Sequence, residues 1–146
     1  MTVCAIRKIQ VKATPEEHVR QKFLQQMIGE WGYPPSLIMV EKALSELPLQ
    51  NDTSKKIPQR RMDIVAYTKT GESLRPLLLI ECKEKDNSKK ALRQLLGYNY
   101  FIQAPFVALV TATHYTVIDA MTSRAIDGKP FYSSLRNISP FSTSTG

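Results

Sequence analysis

The chain has two cysteines among 146 residues, six glycines, one tryptophan, and no apolar run near the roughly 18 residues that a membrane-spanning helix needs. Each scarcity excludes something. Cys4 and Cys82 cannot staple a small fold, and neither sits in a CxxC or Cys/His cluster with zinc spacing, so structural disulfides and structural zinc are not expected. No GxxxxGK[ST] or GxGxxG stretch occurs, which removes the familiar phosphate-cradling loops, and no internal repeat is visible. The opening MTVCAIRKIQVKATPEE lacks the long apolar stretch and small-residue cleavage site of a secretory signal, so the expected address is cytoplasmic, with no membrane partner. Acids are the scarcer charge: 13 Asp and Glu stand against 20 Lys and Arg, a net charge of +7.

What is present suits one α/β domain. With 42% hydrophobic and 23% charged residues the chain reads as globular, and at this length it buries roughly 70% of its unfolded surface. The expected domain is 1–138, with 139–146, "SPFSTSTG", a disordered tail. The positive surplus is local: residues 52–93 hold eleven Lys or Arg against six Asp or Glu, while each flank is net +1. A local basic field is what a polyanion binder needs, although a solvated basic loop has the same composition. Arg60, Arg61, Lys85, Lys89 and Lys90 lie in this segment and are the expected nucleic-acid contacts.

Thr14-Pro15-Glu16-Glu17 opens a helix, with Thr14 as N-cap, Pro15 at the first helical position and acids in the first turn. Val19, Phe23, Leu24, Met27 and Ile28 follow at helical spacing, and Gly29 and Gly32 close it. "SLIMVEKAL", 36–44, suits a strand. "MDIVAYT", 62–68, and "PLLLIECK", 76–83, read as a hairpin turning about residue 72. Val65, Tyr67, Leu77 and Leu79 are expected on one face, with Ile64, Ala66, Leu78 and Ile80 on the other. Strands apolar on both faces belong in the middle of a sheet. Ser88 is the expected cap of a helix over 89–102, followed by strands in "FVALVTAT" and "YTVIDA" and a short helix near 130–136. The result is a mixed central sheet flanked by helices.

A hairpin turning about residue 72 sets Asp63 opposite Glu81. Facing strand residues lie about 5 Å apart, where like charges repel by about 3 kcal/mol at an effective dielectric near 20. A divalent cation held by both carboxylates removes that repulsion, and oxygen ligands with retained waters suit Mg²⁺. Lys83 projects from the same face as Glu81 and can hold or deprotonate a water there. Cys82 points the other way, as a small core residue. An acid-x-lysine triplet also occurs by chance about once in such a composition, so a structural ion pair stands beside the metal-site reading.

An acid on one strand and an acid-x-lysine on the next, within an αβββαβ order, resembles the PD-(D/E)xK superfamily with its restriction endonuclease-like fold. More narrowly, "PEEHVRQKFLQQMIGEWGYP", "VEKAL", "RRMDIVAY", "LLLIECKEK", "QLLGYNYFIQAPFVALVT" and "THY" look like the N-terminal domain of type I restriction enzyme R subunits, over roughly residues 14–119. The resemblance implies Mg²⁺-dependent (or Mn²⁺-dependent) hydrolysis of phosphodiester bonds in DNA, with Asp63 and Glu81 as metal ligands and Lys83 beside the attacking water. The motif's proline is replaced by Met62. Glu17 matches the family's helical acid, while Thr14 and Glu17 equally form a capping box. Gln94 and Tyr98 resemble a Q-x-x-x-Y motif on one helix face. Glu41, Arg20 and Gln21 also match but are given no chemistry, and a lone His114 reads as a surface or packing residue.

The partner expected from these residues is DNA, with RNA not excluded, and the resemblance also allows a homo-oligomer or a larger restriction-type assembly. The competing reading is a non-catalytic nucleic-acid-binding or partner-docking module that keeps the fold. Intact Asp63, Glu81 and Lys83 favour the enzyme, because unneutralised acids in register cost stability.

Overall fold

The computed structural model describes residues 2–4, 6, 10–11, 14–47, 57–83 and 89–141. Two short strands, β1 (Thr2–Val3) and β2 (Gln10–Val11), pair antiparallel with each other. Helix α1 (Pro15–Gly29) follows, then β3 (Ile38–Ala43), β4 (Arg61–Thr70), β5 (Ser73–Cys82), α2 (Lys89–Ile102), β6 (Phe106–Val110), β7 (Tyr115–Asp119) and α3 (Tyr132–Ile138). Strands β3 to β7 form one sheet in chain order. Every neighbouring pair is antiparallel except β5–β6, which is parallel. A parallel neighbour requires a crossover, and α2 supplies it. The α/β class and the αβββαβ core, here α1-β3-β4-β5-α2-β6, are as the sequence predicts.

Two apolar layers cover the sheet. Val19, Phe23, Leu24 and Met27 of α1 pack with Trp31 and Tyr33 against Ile64, Ala66, Leu78, Ile80 and Ala108. On the opposite face Leu95 and Ile102 of α2 pack against Val65, Tyr67, Leu79, Val107 and Leu109. α3 closes the first layer: Leu135 is buried there, and the Tyr132 hydroxyl bonds the Thr68 hydroxyl at 3.1 Å. Thr14 caps α1 by accepting the Glu17 N–H at 3.1 Å, which leaves the first turn free to aim its side chains at the sheet.

The β4–β5 hairpin departs from the expected geometry in a way that matters for the site. Its turn is the two residues Gly71-Glu72, with Gly71 at φ +64°, so Thr70 pairs with Ser73 rather than with residue 74. A β-bulge then shifts the ladder: Tyr67 opposes Pro76 while Ala66 opposes Leu78, and Leu77 is the extra residue. Beyond the bulge Ile64 opposes Ile80, as in the expected register. Leu77 correspondingly lies in the α1-side core with Leu78, not with Val65 and Tyr67 as strict alternation predicts. Pro76, with no N–H to give, sits next to the bulge, before β6 begins pairing at Leu78.

β6 stops at Val110, where the apolar run ends, short of the expected stretch "FVALVTAT". Ser139 is buried and its hydroxyl donates to the Arg136 carbonyl at 2.8 Å, so the described chain continues past α3 to Phe141. Ser88, Lys85 and residues 142–146 lie outside the described residues. No helix among the described residues is long and apolar enough to cross a membrane.

Candidate functional site

The site forms where β4 and β5 part. The antiparallel ladder is regular up to Ile64–Ile80, and its next step sets Asp63 beside Glu81. There the Cys82 N–H, which points at β4, bonds to the Asp63 carboxylate (Oδ2) at 2.8 Å. The Lys83 N–H points the other way and bonds the Val110 carbonyl at 2.8 Å. Asp63 thus replaces a backbone acceptor and is held by the strand that carries Glu81.

The Asp63 and Glu81 carboxyls face each other across the two strands, and the Asp63 charge acts on Glu81. Glu81 is only 6% exposed. Burial and the Asp63 charge lift its pKa to about 7, against the opposing pull of Arg60 and Lys83. Two cations touch the same Glu81 oxygen, Oε1: the Arg60 guanidinium at 2.6 Å and the Lys83 ammonium at 3.8 Å. Arg60 is in turn seated over the Tyr98 ring of α2, 5.3 Å from its centroid.

A second group of charges approaches from α1. Arg20, 4% exposed, donates through Nη2 to Asp63 Oδ1 at 3.0 Å and through Nη1 to Glu17 Oε1 at 2.9 Å and Glu41 Oε1 at 3.1 Å. The other Glu17 oxygen accepts the Gln21 amide at 2.8 Å. Burial works against the Arg20 charge, but Asp63, Glu41 and Glu17 outweigh it and hold the guanidinium above its ordinary pKa.

The expected site residues therefore divide. Asp63, Glu81 and Lys83 come together, and Glu17 reaches them through Arg20. Gln94 is exposed on α2, whereas Tyr98 joins the site by way of Arg60. Arg60 lies on Glu81, and Arg61 donates to the Glu41 carbonyl at 2.8 Å, so both expected nucleic-acid contacts have partners inside the protein. Lys89 and Lys90 are exposed at the start of α2. Burial, with Asp63 adding to it, pushes the Cys82 thiol well up, which fits a core residue rather than a nucleophile. His114 is exposed in the β6–β7 turn, its Nδ1 at 3.1 Å from the Thr113 hydroxyl. It borders a cavity of about 300 Å³ that Lys22 and Gln26 of α1 also line. The roles of Arg20 and Arg60 were not legible in the sequence, although Glu17, Arg20 and Gln21 stand at i, i+3 and i+4, the spacing of side chains that meet on a helix.

Among the described residues no group of three or more His, Cys, Asp or Glu is arranged to hold a metal ion. The protein's contribution to a cation would be the two carboxylates, both hard oxygen donors, with water completing the shell as Mg²⁺ prefers. Such an ion would offset the repulsion by which Asp63, after burial, raises Glu81.

A mixed five-stranded sheet between helices, with paired acids where two central strands part and a lysine beside them, defines an α/β domain with a polar site at one end of its sheet. The family described as type I restriction enzyme R protein N terminus matches residues 15–129, and the chain belongs to it. The match opens at the first residue of α1, takes in the whole five-stranded sheet and ends before α3. A search of curated proteins finds no match.

Proposed function

We propose that the domain is a Mg²⁺-dependent phosphodiesterase (Mn²⁺ serving equally) that cleaves DNA within a restriction-type system, with RNA as the substrate to be excluded by experiment. The observation that carries this reading is the placement of Asp63 beside Glu81 on two adjacent central strands, with the Lys83 amine 3.8 Å from Glu81. Family membership supports the restriction context. Asp63 and Glu81 would hold the cation, which when bound supplies Lewis acidity toward a phosphoryl oxygen and a more acidic water. Any proton on Glu81 would leave when the cation binds. Lys83, tethered by its backbone to β6, orients the attacking water or takes its proton, and its charge opposes the negative charge growing on the phosphate. Lys89 and Lys90, exposed on the helix after β5, contact the sugar-phosphate backbone without reading bases.

One observation favours the second reading, a binding or docking module without catalysis: Arg20 and Arg60 already form ion pairs with the two acids. Incubation with labelled single- and double-stranded DNA and RNA, with and without Mg²⁺ or Mn²⁺, decides between them. Metal-dependent cleavage that Lys83→Ala abolishes establishes the enzyme; binding with no cleavage under any metal establishes the module.

A further inference from the structure

The charged cluster around Arg20 is more than a stable fold requires. Three elements each send a carboxylate to one buried guanidinium, namely Glu17 of α1, Glu41 of β3 and Asp63 of β4. Taking such charges out of water costs several kcal/mol per ion, and apolar residues of similar volume are often at least as stabilising. A second cost accompanies it. Glu41 has φ +52° within β3, a conformation that strains a residue bearing a Cβ by about 1–3 kcal/mol. The β3–β4 ladder skips it: Val40 pairs with Ile64 and Lys42 with Met62 in one continuous register, while Glu41, level with Asp63, is left out of the pairing. Strain and burial meet at one carboxylate, Asp63.

We infer that Arg20 is a positioning residue of the proposed phosphodiesterase site, and that Glu17 and Glu41 hold it in place. This rests on the reading of Asp63 as a ligand. Arg20 Nη2 fixes Asp63 Oδ1, and the Cys82 N–H fixes Oδ2, so each oxygen of the carboxylate beside Glu81 is held by its own donor. Nη1 meanwhile takes Glu17 and Glu41, which sets the rotation of the fork. That division needs a planar guanidinium. A lysine keeps the charge but cannot address three carboxylates from fixed directions.

The test compares Arg20→Lys, Arg20→Ala and Glu41→Gln with the unaltered protein. Ca²⁺ affinity is read by calorimetry, fold by circular dichroism, and Mg²⁺-dependent cleavage at saturating DNA. Arg20→Lys should keep the fold, bind Ca²⁺ about 10–100-fold more weakly and lose turnover by a similar factor, as groups that orient metal ligands do; KM for DNA should hardly change. Millimolar guanidinium should restore part of the turnover of Arg20→Ala, and none in Asp63→Asn. Glu41→Gln should weaken Ca²⁺ binding in the same direction, and it carries the test if Arg20→Ala does not fold. Unaltered Ca²⁺ affinity and turnover in Arg20→Lys and Glu41→Gln, with only a lower melting temperature, would make the cluster structural and overturn the inference alone. If the unaltered protein neither binds Ca²⁺ nor cleaves, the phosphodiesterase reading fails and takes this role with it.

Discussion

Burial and the Asp63 carboxylate raise Glu81 to about 7 from an ordinary value of 4.5, and this has a consequence for folding that needs no substrate. A carboxyl whose folded pKa lies above its unfolded one favours the fold most at low pH. That advantage is lost as pH climbs from about 4.5 to about 7, to a total of about 3 kcal/mol at 1.36 kcal/mol per pKa unit. Denaturant melts in EDTA should therefore show Glu81 weakening the protein across that window, and Glu81→Gln should flatten the profile. A profile of equal slope in both proteins would mean that Glu81 titrates normally. Under the proposed mechanism Lys83→Ala should separate binding from chemistry. It is one positive charge among many, so Lys83→Ala should remove at most about one unit of salt dependence in DNA binding while cutting cleavage by roughly 10²-fold or more. Anisotropy in Ca²⁺ and cleavage in Mg²⁺ read the two effects apart, and cleavage at the unaltered rate would end the proposed mechanism.

At the scale of elements, the sequence showed the hairpin but not the reason its register works. Alternation and a turn about residue 72 put Asp63 across from Glu81. The actual two-residue turn would have moved them out of step had the bulge at Leu77 not restored the pairing. A bulge of this kind leaves no pattern in an unbroken apolar run such as Pro76–Ile80, because every residue there is buried whichever way it faces. The strand-end acids were legible because polar residues at the end of a buried strand need a purpose; Arg20 was not, since a cation on an amphipathic helix ordinarily faces water. α1 instead turns Glu17, Arg20 and Gln21 inward, all buried. Gly71 holds a left-handed turn, so Gly71→Ala should destabilise the hairpin by about 1 kcal/mol, read by denaturant midpoint. Helix α2 brings Lys89 and Lys90 to the surface after the acid strand. Charge reversal of both should weaken DNA binding alike for all sequences and leave turnover at saturation largely intact, whereas undiminished binding would remove α2 from the interface.

Across the whole molecule the charge is +7, yet the two central strands converge on acids, so a polyanion such as the proposed DNA would be attracted generally and opposed at one point. Only a cation resolves that opposition: Arg20 and Arg60 do so in part, and a divalent ion would complete it. A ligand bound only by the folded state raises its stability by RT ln(1 + [L]/Kd), about 2.7 kcal/mol at a hundredfold excess over Kd. Mg²⁺ or Ca²⁺ should therefore raise the melting temperature of the whole domain. Because metal and proton compete for the Asp63–Glu81 pair, the rise should be small near pH 5 and grow toward pH 7.5, with protons released on binding. Asp63→Asn removes one ligand, so its melting temperature should respond much less to metal than that of the unaltered protein. Scanning fluorimetry at the two pH values with 0–10 mM metal, taken as roughly the span from below to well above a weak Kd, checks all three expectations. Equal melting temperatures with and without metal at pH 7.5 in the unaltered protein would leave the paired acids as a structural pair held by Arg20 and Arg60 and not a cation site.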